Sequence, residues 1–389
     1  MRLKLSALVL LCFLNYSFSQ QLQLSPKAEV SVLTFGPGTN LNDAFGHNAF
    51  RIKDRTQGLD VVFGYGGYDF DAPNFYLKFA QGKLNYLISR KKYSDIFQLY
   101  RYYDRTIDEQ TLNFNQDQKQ ALYNYLDNNY KPENRRYLYD FFYDNCATKI
   151  RDVANVSASQ TISYSEIKDE EKKTFRTLIH EQVGLNTWGS FGIDIALGSI
   201  IDRPVTGNEQ QFLPKYIFKS FENAQLDSKP LVKSTNTIYK SRHNKGYTTN
   251  LIFSPIVIML LLSALIIYLT YRDSKSGKRT KWLDIILFGL TGLIGIALLL
   301  LWFGTDHTAT GYNYNLLWAF PINLFVIGQL FKEQTKNWFR GFLKFLVIML
   351  TLMTMHWIIG IQVFAIALLP FLIALLVRYI YLLRYYKTT

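Results

Sequence analysis

Cysteine is nearly absent from this chain. Its 389 residues contain two, Cys12 and Cys146. Cys12 lies in a stretch with a short basic start (Arg2, Lys4), an apolar run from Leu5 to Leu14 and the small-residue pattern Ser17-Phe18-Ser19. That is the layout of a secretory signal peptide over residues 1–19, with an uncleaved anchor as the alternative. Leu11 makes Cys12 a poor lipid acceptor, because a small residue is expected there. Either way the following segment is exported, and loss of the signal leaves Cys146 unpaired in a compartment where cysteines normally pair. Histidine is scarce too, with five in the chain. One cysteine, with no histidines four residues apart, does not assemble a zinc site. The Gly-rich stretch at Tyr65–Tyr68 lacks the GK[ST] ending of a phosphate loop. No metal and no cofactor is expected, and no internal repeat or low-complexity segment stands out.

A net charge of +13 suggests a nucleic-acid partner until it is divided along the chain. Residues 20–250 carry 29 basic and 26 acidic residues, whereas residues 251–389 carry 12 and 4. The excess therefore sits beside apolar runs, where it sets membrane orientation. Aromatic and basic residues interleave at Tyr100–Arg105, but an exported domain rarely meets nucleic acid, so that partner is excluded.

Three apolar stretches, Leu251–Tyr271, Trp282–Phe303 and Leu316–Phe331, suit a membrane crossing. The run from Phe345 to Val377 is 33 residues without a charge. A single helix of that length would span about 50 Å against a hydrocarbon core of about 30 Å. Two crossings turning at Gly360-Ile361-Gln362 fit better, which makes five transmembrane helices in an all-α bundle over 251–389. The basic clusters Arg272–Lys281, Lys332–Lys344 and Arg378–Lys387 then all face the cytoplasm, and the C-terminus with them. Trp282, Trp302, Trp318, Trp338 and Trp357 fall near the ends of the crossings, as interfacial belts do. The exported loop after the second crossing concentrates Asp306, His307, Asn313 and Asn315. It reads either as a polar hairpin or as a headgroup-level patch that works with the exported domain.

Residues 20–250 read as an α+β domain. Strands are expected at 28–35, at Ala49–Lys53 and Asp60–Tyr65 across the turn RTQG, at Leu84–Ser89 and at Tyr137–Phe142. Helices are expected from Asn115 to Tyr125, from Cys146 to Ala154 after a cap at Asp144 or Asn145, from Glu166 to Val183 and from Phe212 to Phe221. Cys146 thus falls in a first helical turn, where the dipole and unsatisfied N–H groups favour thiolate, with Lys149 and Arg151 adding positive potential. A buried, inert structural cysteine is the competing reading. A nucleophile needs a base. His180 and His243 read as solvated surface, and His356 sits at a span end. His47 differs, because Gly46 lets the chain turn sharply just before a strand begins. Cys146 and His47 form the minimum machinery for acyl transfer.

The order His47 then Cys146 reverses that of papain-like enzymes and resembles their circularly permuted relatives, such as the lecithin:retinol acyltransferase group. The fragments FGHNAFRI, FGYGGYDF, YDNCATKIRD and DHTATGYNYNLLWAFP together resemble the Lnb family of Bacteroidota, lipoprotein N-acyltransferases of the inner membrane. The resemblance spans nearly the whole chain after the signal. It implies a permuted papain-like, NlpC-like periplasmic fold with Cys146 and His47 as catalytic residues. The implied substrates are a phospholipid acyl donor and a diacylated lipoprotein acceptor, linked by a Cys146 thioester. Asp60 is the candidate to orient His47, while Asn145 and Arg51 are candidates for oxyanion or headgroup contacts. A membrane-tethered cysteine peptidase or amidase acting on cell-wall peptides is the alternative enzyme. A non-enzymatic membrane scaffold is the alternative outside catalysis.

Overall fold

Both faces of the first strand are covered, which explains why its sequence alternates only loosely. In the computed structural model, β1 (Glu29–Phe35) sends Val30 and Val32 into one core and Leu33 and Phe35 into another. Residues 22–159, 161–165, 173–206, 208–332 and 335–388 are described; the signal segment with Cys12, and most of the start of the expected 166–183 helix, lie outside them.

The hairpin expected across RTQG forms, with β2 (His47–Asp54) and β3 (Leu59–Gly67) each longer than the sequence suggests. There follow α1 (Phe75–Ala80), β4 (Asn85–Lys92), α2 (Tyr93–Tyr102), β5 (Ile107–Leu112), α3 (Gln116–Tyr130), β6 (Arg136–Leu138) and α4 (Cys146–Ala158). The strand expected over Tyr137–Phe142 is cut short because Asp140 pairs back to Asp144 in a tight turn. The domain continues with β7 (Ile162–Ser163), α5 (Phe175–Val183), α6 (Trp188–Ala196), α7 (Pro214–Asn223), β8 (Gln225–Leu226), β9 (Lys229–Pro230) and β10 (Val232–Tyr239). Among the described residues the main sheet is antiparallel, in the order β10-β5-β1-β2-β3-β4-β6. α3, α4 and α7 cover one face through Leu122, Leu126, Ile150, Val153 and Ile217. On the other, α2 lays Tyr93, Ile96, Phe97 and Tyr100 against Leu33, Phe35, Ala49 and Val62.

The C-terminal half is helical: α8 (Pro255–Ser276), α9 (Lys281–Phe303), α10 (Ile322–Leu330), α11 (Asn337–Ile359) and α12 (Leu369–Thr388). Among the described residues four helices are long and apolar enough to cross a membrane, and Gly360, at φ 79°, ends α11 where the turn is expected. The stretch expected as the third crossing is shorter. It divides into a 3₁₀ turn, Tyr314–Leu317, and α10, whose nine residues extend only about 14 Å. The break falls at Pro321, which has no N–H to continue a helix. Trp318 also departs from the interfacial belt. It is buried, donates to Asn315 Oδ1 at 2.8 Å and packs edge-on to Phe371.

Candidate active site

Gly46 takes φ 81°, and a Cβ there would meet the Phe35 carbonyl, so the chain can enter β2 at His47 only through glycine. His47 stands opposite Phe35 in the β1–β2 ladder and shares its face, with the two rings near parallel at 6.0 Å. Its Nε2 lies over Gly64 of β3, where an added Cβ would come within 3.2 Å of it. The β2–β3 ladder begins only at Ala49–Gly64, because β3 bulges between Gly64 and Gly67 and Gly66 takes φ 97°. At this open end the Asn48 N–H is directed at the Cys146 thiol, and Cys146 Cβ lies across from Gly66. Histidine and cysteine thus approach the same glycine run.

The thiol is placed by a strongly built helix start. Asn145 caps α4 by accepting from Ala147 N at 2.8 Å and Thr148 N at 3.0 Å. Its Nδ2 donates to the carbonyls of Phe141 and Phe212 at 2.7 and 2.8 Å. The cap expected there is present, but the amide is fully engaged and is not a free oxyanion donor. The backbone N–H groups of Asn48 and Cys146 face the thiol, with that of Ala147, which Asn145 also accepts from.

Electrostatics at the site run against the expectation of a resting thiolate. Burial pushes the Cys146 thiol up to about 11, outweighing the N–H groups of Asn48, Cys146 and Ala147 and the charge of Arg105. Burial, with Arg105 second, lowers His47 to about 4. At neutral pH both the thiol and the imidazole are therefore uncharged. Lys149 is drawn aside by Asp144 at 2.7 Å and Arg151 by Asp152 at 2.8 Å.

Arg105 and Tyr100 belong to this site and carry no local signal in the sequence. Buried Arg105 donates to the Gly36 carbonyl at 2.8 Å, pairs with Asp43 at 3.6 Å and stacks on Tyr100. Tyr100 lies flat on Phe35 at 3.7 Å, and burial pushes its hydroxyl up to about 12.

Asp60 is not brought to His47. It faces Lys53, six residues along β2 and about 20 Å from the strand start. Its carboxylate holds Arg51 through two bonds, of 2.8 and 2.7 Å. Arg51 in turn is buried, bonded to Glu109 and laid on the Tyr93 ring at 3.3 Å. Both candidates are thus corrected to one structural ion-pair cluster away from the thiol. Among the described residues no carboxylate accepts from His47; Phe35 and Gly64 hold its ring instead.

Residues 17–181 match the Lnb N-terminal periplasmic domain, and residues 247–389 match the Lnb transmembrane domain. The chain belongs to the Lnb family. No curated protein and no solved structure matches it. This Lnb protein is accordingly a membrane protein with a periplasmic N-terminal domain.

In the Lnb chain the exported loop clamps the two halves together. Asp306 N donates to the Gln81 carbonyl at 2.8 Å and His307 Nε2 lies 3.2 Å from the Ala80 carbonyl. Thr308 donates to Asp140 at 2.7 Å, six residues before the thiol. On the other flank, buried Asn313 and Asn315 donate to the last-turn carbonyls of α6 at 2.8 and 2.9 Å. The two asparagines are thus structural, whereas Asp306 and His307 remain exposed at the junction. His180, expected at the surface, belongs to the support beneath: its Nε2 meets Asp194 at 2.9 Å, beside the buried Arg176 that bridges Asp194 and Asp202.

Proposed function

We propose that this protein is a lipoprotein N-acyltransferase that uses Cys146 as nucleophile and His47 as general base. One observation carries the reading: the thiol and the imidazole converge on the Gly64–Gly66 run, and the turn leading into Cys146 is bonded through Asp140 and Thr308 to the membrane half. A nucleophile held at a membrane junction suits substrates anchored in lipid.

The neutral resting pair makes His47 a base that acts during attack. As Cys146 Sγ adds to the ester carbonyl of a phospholipid, the imidazole accepts the thiol proton. The Cys146 and Asn48 N–H groups receive the oxyanion. Collapse breaks the ester C–O bond, and the imidazolium returns its proton to the departing lysophospholipid alkoxide. The α-amine of a diacylglyceryl-cysteine lipoprotein then attacks the thioester. His47 takes the amine proton and delivers it to the leaving thiolate, restoring the enzyme. Arg105, next to both residues, disfavours the imidazolium at rest and steadies the developing negative charge.

The proposal includes a cleaved signal over 1–19, a permuted papain-like arrangement and five crossings, with the apolar segment Tyr314–Leu330 completing the third beside four long helices. An odd number of crossings places the C-terminus in the cytoplasm. Mass spectrometry of N-terminal lipopeptides from a host without its own N-acyltransferase tests the function. Wild type should add one acyl chain and Cys146→Ala none. Acylation by both would make Cys146 structural, and acylation by neither would turn the search to cell-wall peptides.

A further inference from the structure

The segment between β3 and β4 is unusually apolar for exposed backbone. In α1, Tyr76 is 80% exposed, Leu77 57% and Phe79 55%. Monomeric soluble surfaces rarely gather such side chains on one short helix. The end of α1 is the part gripped by the exported loop, through Asp306 on Gln81, His307 on Ala80 and Lys83 near Asp306 at 4.0 Å. That loop follows directly on α9, whose last residue, Phe303, is 73% exposed. The end of α1 is therefore tied to the loop that leaves α9, with its apolar side chains exposed near that junction.

Aromatic rings lead from this helix to the thiol. Phe75 of α1 sits 5.8 Å from Tyr68, and Tyr68 meets Tyr86 edge-on at 5.6 Å. Tyr86 stacks flat on Tyr139 at 4.1 Å. Tyr139 adjoins the Asp140–Asp144 turn that delivers Cys146, and Cys146 is, after burial, the next cause that holds its hydroxyl above the ordinary range.

We propose that α1 inserts into the outer leaflet and that Tyr68, Tyr86 and Tyr139 form the route along which one acyl chain of a phospholipid reaches Cys146. This rests on the acyltransferase reading for its purpose, but chain binding needs no turnover. The rings give an apolar, flat-walled path, while their hydroxyls keep it compatible with the aqueous domain surface.

The test uses full-length Cys146→Ala protein in phosphatidylethanolamine vesicles whose acyl chains carry a diazirine, with cross-links mapped by mass spectrometry. Cross-links are expected on α1 and on Tyr86 or Tyr139, in addition to the spanning helices. The double variant L77D/F79D should lose those at Tyr86 and Tyr139 at least tenfold while keeping those on the spans, which reports that the fold persists. Labelling confined to the spans would overturn the proposal. Labelling of α1 without the tyrosines would overturn the route. Failure of the acyltransferase reading is seen separately, as absence of a thioester on wild-type Cys146 in vesicles whose lipids still label α1.

Discussion

At the scale of single residues, the decisive contest is between a helix start that favours thiolate and burial that opposes it. Four favourable influences act on Cys146, yet burial wins and the thiol is pushed up to about 11. Reactivity follows the thiolate fraction, so the sign is fixed: alkylation of Cys146 by iodoacetamide should rise about tenfold per pH unit through neutrality. A plateau reached below about pH 8 would instead mean a thiolate–imidazolium pair at rest. His47, lowered to about 4, stays neutral above that value and takes up a proton as pH falls through it, which would end the base role proposed for it. Acyl-enzyme formation should accordingly be level on the acid side until near that pH. Both residues are legible in the sequence because each has a local marker, Gly46 before one and Asn145 before the other. Arg105 and Tyr100 have none: they arrive from the end of a helix on the far face of the sheet, and only the tertiary fold brings them in.

Among elements, legibility follows the range of the interaction. The start of α3 is readable because Asn115 and Gln118 cap each other within one turn, and α4 is readable through Asn145 for the same reason. The docking of the exported loop is not, since its partners lie more than a hundred residues away at Ile195 and Asp194. The third apolar stretch misleads for a related reason: hydropathy sees its length, while Pro321 and the Asn315–Trp318 bond decide its shape. The loop also rests on contact between two backbones. Gly198 N donates to the Ala309 carbonyl at 3.0 Å, and a Cβ on Gly198 would strike the Gly311 carbonyl. Backbone cannot step aside as a side chain can. Gly198→Ala should therefore loosen residues 306–313 from the periplasmic half and speed their hydrogen exchange at least tenfold. Exchange elsewhere in the main sheet should stay unchanged. Equal protection in the variant would show that the loop is held by its other contacts, at Gln81, Asp140 and the end of α6.

For the whole molecule, the question is what keeps the membrane half rigid enough to hold a loop against the turn that leads into Cys146. Arg378 counts towards the basic C-terminal tail in a reading of charge alone, but it is fully buried and ties α12 to two other helices. It bonds Asp284 of α9 at 2.6 Å and Asp273 of α8 at 2.8 Å. Arg279 adds a second contact to Asp284 at 3.1 Å. Pairs of this kind contribute little against an apolar replacement of the whole set, yet breaking them from one side strands a charge. Arg378→Leu leaves Asp273 with Thr280 and the more distant Arg272 at 3.7 Å, and Asp284 with Arg279. The expected cost is roughly 3–5 kcal/mol, read as a lower unfolding midpoint of the purified protein in detergent. Neutralising Asp273 in the same chain, as R378L/D273N, should recover part of that loss, because the charge at Asp273 is removed while Asp284 keeps Arg279. If Arg378→Leu melts like wild type, α8, α9 and α12 are held by their apolar contacts. The rigidity that positions the exported loop must then come from the periplasmic side, through α6.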